Sequence, residues 1–155
     1  MSDSETLAIR LKEACLMHQS GDLDKALDLY KACLNDDPDH PETHHLMGIF
    51  YAQQGNMNDA EQHVQKALKK QPDNPTFLSS LGNIMKHKKK YDEAKSLYEQ
   101  SLAVSPLNPV TLNNLGTLYL AENDLNTAWG YFTKAIQLKD DYYDAYFNEA
   151  LVLIK

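Results

Sequence analysis

Apolar residues return at three- and four-residue steps through most of the chain. Phe77, Leu78, Leu81, Ile84 and Met85 form one stripe, and Ala94, Leu97, Tyr98 and Leu102 form the next. Such spacing puts each set on one side of an α-helix and leaves the other side polar. Asn74-Pro75 and Asn108-Pro109 stand just ahead of first stripes. The asparagine offers an acceptor to the free N–H groups of a first turn, and the proline occupies the first helical position, where no N–H is needed. Gly21 and Gly55, with Lys89 and Asn123 at the matching places, fall between stripes, where a backbone of positive φ is wanted. Asp24, Asn58, Asp92 and Asn126 are expected at the head of the second helix, beside its free N–H groups and the positive end of its dipole. Pro38, Pro72 and Pro106 are expected to stop that helix, because proline cannot continue the hydrogen-bond ladder.

The pattern repeats with a step of 34 residues: Pro38 with Pro41, Pro72 with Pro75, and Pro106 with Pro109. Gly48, Gly82 and Gly116 keep the same step, as do Ala26, Ala60, Ala94 and Ala128. A fixed period of this length is the signature of stacked repeats, each holding two helices. The glycine and alanine columns predict a close approach of the two helices in a pair, with Gly48 facing the neighbourhood of Ala60.

In one period the residues read Leu112, Leu115, Gly116, Tyr119, Ala128, Phe132 and Ala135; one period earlier they read Leu78, Leu81, Gly82, Met85, Ala94, Tyr98 and Ser101. These residues resemble the tetratricopeptide repeat family. The resemblance implies an all-α, right-handed superhelical solenoid of antiparallel helix pairs: one domain over 1–155, with repeats at about 7–40, 41–74, 75–108 and 109–142 and an extra helix at 143–155. The first repeat is worn, with Arg10, Glu13, Ala14 and Met17 in place of the expected residues, as an end repeat facing water would be. In the extra helix Tyr146, Ala150 and Leu153 keep the spacing while Glu149 departs from it. Its partner helix is missing, so an apolar edge is expected, covered by a continuation of the chain or by another copy.

The resemblance further implies that first helices line a concave groove. Projected onto them, Leu11, His45, Ser79, Asn113 and Phe147 form one column; Lys12, Leu46, Ser80, Asn114 and Asn148 a second; Cys15, Ile49, Asn83, Thr117 and Leu151 a third. The expected binding residues are His45, Leu46, Ile49, Ser79, Asn83, Asn113, Asn114, Thr117 and Asn148. The early part is apolar; the later part is polar and uncharged, and side-chain amides suit the backbone of an extended ligand because they donate and accept together. The bland alternative is a solvated surface. Relatives that clamp chaperone C-terminal carboxylates use basic residues and asparagine where Leu11, Cys15 and Leu46 stand, so that ligand is not expected. The asparagine ladder of O-linked N-acetylglucosamine transferases is matched only at Asn114 and Asn148, and Lys12, Leu46 and Ser80 depart from it.

Composition narrows the partner. Twenty-two acids against fifteen bases give a net charge of −7, which disfavours nucleic acid and anionic membrane as ligands. The basic run Lys86, Lys88, Lys89 and Lys90 lies at a turn, either as a solvated loop or as a contact for an acidic partner. The start MSDSETLAIRLKE mixes both charge signs and no apolar run spans a bilayer, so the expectation is a cytoplasmic protein without membrane insertion, with Cys15 and Cys33 as reduced thiols. His40, His44 and His45 bunch together but diverge around a helix start, and no metal or cofactor is expected. No phosphate loop, nucleophile elbow or acid pair is visible, so an enzyme is not expected. The expected function is that of a protein-interaction module binding a peptide or helix of another protein. The alternatives are a substrate-recruiting segment of a longer enzyme, such as a transferase, and a self-associating module acting through 143–155.

Overall fold

The computed structural model describes residues 3–154. Among them the chain forms nine helices and no strand: α1 (Asp3–Ser20), α2 (Leu23–Asp36), α3 (Pro41–Gln53), α4 (Met57–Lys70), α5 (Pro75–His87), α6 (Tyr91–Val104), α7 (Pro109–Ala121), α8 (Leu125–Leu138) and α9 (Tyr143–Leu153). The architecture is an all-α helical solenoid. The helices fall into two compact units divided between Pro72 and Asp73, α1–α4 in the first and α5–α9 in the second.

The helix starts follow the local chemistry. Asn74 Oδ1 accepts from the Thr76 and Phe77 amides, Asn108 Oδ1 accepts from the Thr111 amide, and Pro75 and Pro109 take the first helical positions. His40 does the same for α3, its Nδ1 accepting from the Thr43 amide. Between the helices of a pair, Gly21, Gly55, Lys89 and Asn123 all have positive φ, from 62° to 86°. The caps of the second helices lie two residues ahead of the column expected from the sequence: Asp22, Asn56 and Asp124 accept from Lys25, Asp59 and Thr127 amides. Asp24, Asn58, Asp92 and Asn126 sit within the first turn, at the head of the second helix as expected, while the side-chain caps stand just after the positive-φ residue. Lys90, the fourth residue of the cap column, makes no side-chain cap bond.

Small residues set the spacing inside each pair. A Cβ on Gly82 would lie 2.6 Å from the Tyr98 ring, and one on Gly116 equally close to the Phe132 ring. Gly48 faces Ala60, whose carbonyl oxygen would stand 3.2 Å from an added Cβ. Ala14 fills this column in α1 and is fully buried, against a core of Ala26, Tyr30, Cys33, Met47 and Phe50. Arg10 enters an apolar column, yet its guanidinium donates to the Ala32 carbonyl and pairs with Asp36, so the charge remains satisfied. In the second unit Leu112, Ala135 and Ala145 form one cluster, and Leu120, Ala128 and Phe132 another. Glu149 of α9 accepts from the Thr133 hydroxyl at 2.8 Å, which explains an acid at an apolar register position.

Candidate functional site

In the first unit α1 and α3 leave a cleft of about 400 Å³ between them, lined by Ser4, Leu7, Ala8, Leu11, Lys12, Cys15, His40, Glu42 and Leu46. Its surface is mostly aliphatic, with Lys12 and Glu42 supplying one charge of each sign. A smaller hollow of about 180 Å³ shares Cys15 and Leu46 and is completed by His18, Gln19, Tyr30 and Gln53. His18 ties this end together: its Nε2 lies 2.7 Å from Gln53 Oε1 and its Nδ1 3.3 Å from the Tyr30 hydroxyl. The amide oxygen can only accept, so Nε2 donates to it, while the Tyr30 hydroxyl, beside Nδ1, donates to Cys15 Sγ at 4.0 Å. Burial of Tyr30 pushes its phenol up, keeping that proton in place.

In the second unit, polar side chains link successive first helices. Thr111 Oγ1 donates to Ser79 Oγ at 3.0 Å, Asn114 Nδ2 donates to Asn83 Oδ1 at 2.9 Å, and Asn148 Nδ2 donates to Asn113 Oδ1 at 3.0 Å. Tyr98 Oη also donates to Asn83 Oδ1, at 2.6 Å. Two donors on one oxygen fix the orientation of the Asn83 amide and turn its NH2 group away from them. Asn83, Asn114, Thr117 and Asn148 are all partly exposed.

The sequence-predicted binding residues therefore separate into two groups. Leu46 and Ile49 of α3, and Asn83, Asn114, Thr117 and Asn148 of the second unit, keep part of their surface open. His45, Ser79 and Asn113 do not: their exposures are 4%, 8% and 5%, which corrects their placement on an open groove. Their column is turned into packing, where Ser79 and Asn113 accept hydrogen bonds from the next first helix. His45 stays neutral, its pKa pushed down to about 4 by burial. His44 donates through Nε2 to the Pro38 carbonyl and meets His63 at 2.9 Å between their Nδ1 atoms, while His40 caps α3. The basic run is locally offset: Lys89 and Lys90 share a hollow with Asp92, Glu93 and Glu122, and Lys90 pairs with Glu93.

Tyr98 is the functional neighbour that pattern reading assigns only to the core. Its ring fills the space over Gly82, but a buried phenol must also find a hydrogen-bond partner, and the hydroxyl in place of the Phe132 ring of the next period is the signal for one.

Tetratricopeptide repeat profiles match residues 17–84, 76–105 and 97–130. The chain belongs to the tetratricopeptide repeat family. Solved structures carry the same fold: pilF of Pseudomonas aeruginosa is 20% identical, with a TM-score of 0.91 over 98% of this chain and 69% of that one. The MamA protein is 23% identical, with a TM-score of 0.79 over 97% of this chain and 82% of its own. The Cut9–Hcn1 hetero-tetramer of the APC/C is 17% identical and superposes with a TM-score of 0.88 over 95% of this chain, which spans 30% of that larger one. No curated protein sequence matches significantly. Tetratricopeptide repeats are in general non-catalytic scaffolds for protein–protein interaction. No helix among the described residues is long and apolar enough to cross a membrane.

Proposed function

We propose that this tetratricopeptide repeat protein binds a peptide or helical segment of another protein through the open faces of its first helices. In the first unit the cleft between α1 and α3 accepts an apolar anchor side chain against Leu11 and Leu46, with Lys12 and Glu42 pairing charges that flank it. In the second unit Asn83, Asn114 and Asn148 meet the partner's backbone. The observation that carries this reading is the Asn83 amide: with its oxygen committed to Tyr98 and Asn114, its NH2 is held ready to donate at no cost in side-chain ordering. Amides pre-ordered by neighbours bind a backbone carbonyl more tightly than freely rotating ones.

A displayed random-peptide library panned against the 155-residue chain tests this. The expected result is a set of peptides sharing an apolar anchor. Their affinity, measured by calorimetry, should fall at least about tenfold for Leu46→Asp, which puts a charge into the cleft. Peptides that bind Leu46→Asp and Asn114→Ala as tightly as the parent would remove the proposal.

A further inference from the structure

The basic run of the sequence does not act as one group. Lys90 pairs with Glu93, Lys89 is exposed in the turn at a φ of 62°, and Lys88 is engaged. Lys86 stands apart from them. It lies half-buried in the last turn of α5, and among the described residues no acid or hydrogen-bond acceptor pairs with its ammonium. By contrast Lys95, half-buried in α6, donates to both carboxylate oxygens of Glu122, at 3.0 and 2.7 Å. The negative end of the α5 dipole favours a cation near Lys86, but an exposed lysine would serve it without burial. An amine half withdrawn from water with no acid beside it costs free energy, and burial pushes its pKa down.

The repeat shows what surrounds that amine. One period later the same register position holds Leu120, which is 9% exposed and clusters with Ala128 and Phe132, with Leu151 of α9 packed on them. A step of 34 residues back turns Leu120 and Leu151 into Lys86 and Thr117, so Lys86 belongs at the border of α5 and α7. Asn83 precedes Lys86 by three residues and shares its side of α5. The Asn83 oxygen is taken by Tyr98 and Asn114, and Thr117 already donates to the Asn114 carbonyl at 2.7 Å. What remains for a ligand on this side of α5 is an ammonium and an amide NH2, two donors with no acceptor of their own.

We infer that the segment bound by this chain carries an aspartate or glutamate side chain held between Lys86 and Asn83, one oxygen accepting from the ammonium and the other from the amide NH2. This inference rests on the peptide-binding reading and adds a charge to the ligand it describes. The contact is selective, because a glutamine in the same place would set its own NH2 against a donor. With a net charge of −7 the chain as a whole repels an acidic segment at long range, so this contact fixes register and specificity and does not speed encounter.

Two displayed peptide libraries, alike except that one excludes aspartate and glutamate, test the inference when panned against the 155-residue chain. Every peptide is fused to its carrier through its C-terminus, so side chains alone supply carboxylates. Binders are expected from the acid-containing library only, with an acid at one shared position. In such a peptide, synthesised with an amidated C-terminus, exchanging that acid for its amide should weaken binding to the parent at least about tenfold and to Lys86→Met less than about twofold. Methionine keeps the aliphatic stem and matches Leu120 in register, so this variant should melt no lower than the parent and its affinity should depend less on salt. Acid-free peptides that bind as tightly, or an acid-to-amide loss as large on Lys86→Met as on the parent, overturn the inference. If those peptides still weaken on Leu46→Asp, the peptide-binding reading stands without it. No binder from either library removes both.

Discussion

Asn83 shows how one side chain can serve packing and recognition together. Its oxygen satisfies the hydroxyl of buried Tyr98, so an asparagine-to-alanine change at this position costs stability as well as recognition. Asn83→Ala strands that hydroxyl, and the denaturation midpoint should correspond to a loss of about 1–3 kcal/mol. Tyr98→Phe should cost about 0.5–1.5 kcal/mol, and the double variant less than the two losses added, which a double-mutant cycle reads directly. The histidines of the first unit give a second residue-level consequence. Burial lowers the pKa of His45 and His63 to about 4 and pushes that of His44 down too. In the unfolded chain they titrate near 6.5, so the unfolded state holds more protons between that pH and 4. Stability is therefore full above about pH 6.5 and is lost as pH falls towards 4. Melting followed by circular dichroism should show this fall, and His45→Leu, which restores the apolar residue of Leu11's register position, should flatten it.

The helices differ in how well their ends are closed, and the differences are testable. Asp22, Asn56 and Asp124 cap α2, α4 and α8, whereas Lys90 leaves the head of α6 without a side-chain acceptor. Lys90→Asp should stabilise the chain by about 1 kcal/mol, even though it gives up the exposed pair with Glu93. Inside the pairs the constraint is steric. Gly82→Ala pushes a methyl into the Tyr98 ring and should cost about 1–3 kcal/mol in chemical denaturation. Gly130 has open space at its Cβ, so Gly130→Ala should instead stabilise α8 by up to about 1 kcal/mol. The contrast between two helical glycines, one packed and one free, separates the close-approach column from an incidental glycine.

Taken as an assembly of helix pairs, the protein distributes its chemistry unevenly. The first unit offers an aliphatic cleft, the second a line of partly satisfied amides, and α9 a bare aromatic stripe. In the second unit the side-chain links between α5, α7 and α9 hold these first helices in place before a ligand arrives. Binding energy can then go to contact and not to ordering. At this scale Leu46→Asp should reduce peptide affinity while leaving the helical circular dichroism of the chain unchanged.

The 34-residue period, the helix starts at Asn74 and Asn108, the positive-φ links and the glycine–alanine spacing were all legible in the residues, because each rests on local backbone chemistry or on a repeat that copies itself. What a projected face does was not legible. One helical column of His45, Ser79 and Asn113 reads as open surface until the next first helix is placed against it, since burial is a property of neighbours and not of spacing. The same holds for Glu149, whose partner Thr133 lies on another helix, and for Asn83, whose partner Tyr98 has a hydroxyl that a hydrophobic stripe conceals. Local periodicity determines which helices form and how they pair; only the packed chain decides which of their polar atoms are already engaged and which remain for a partner.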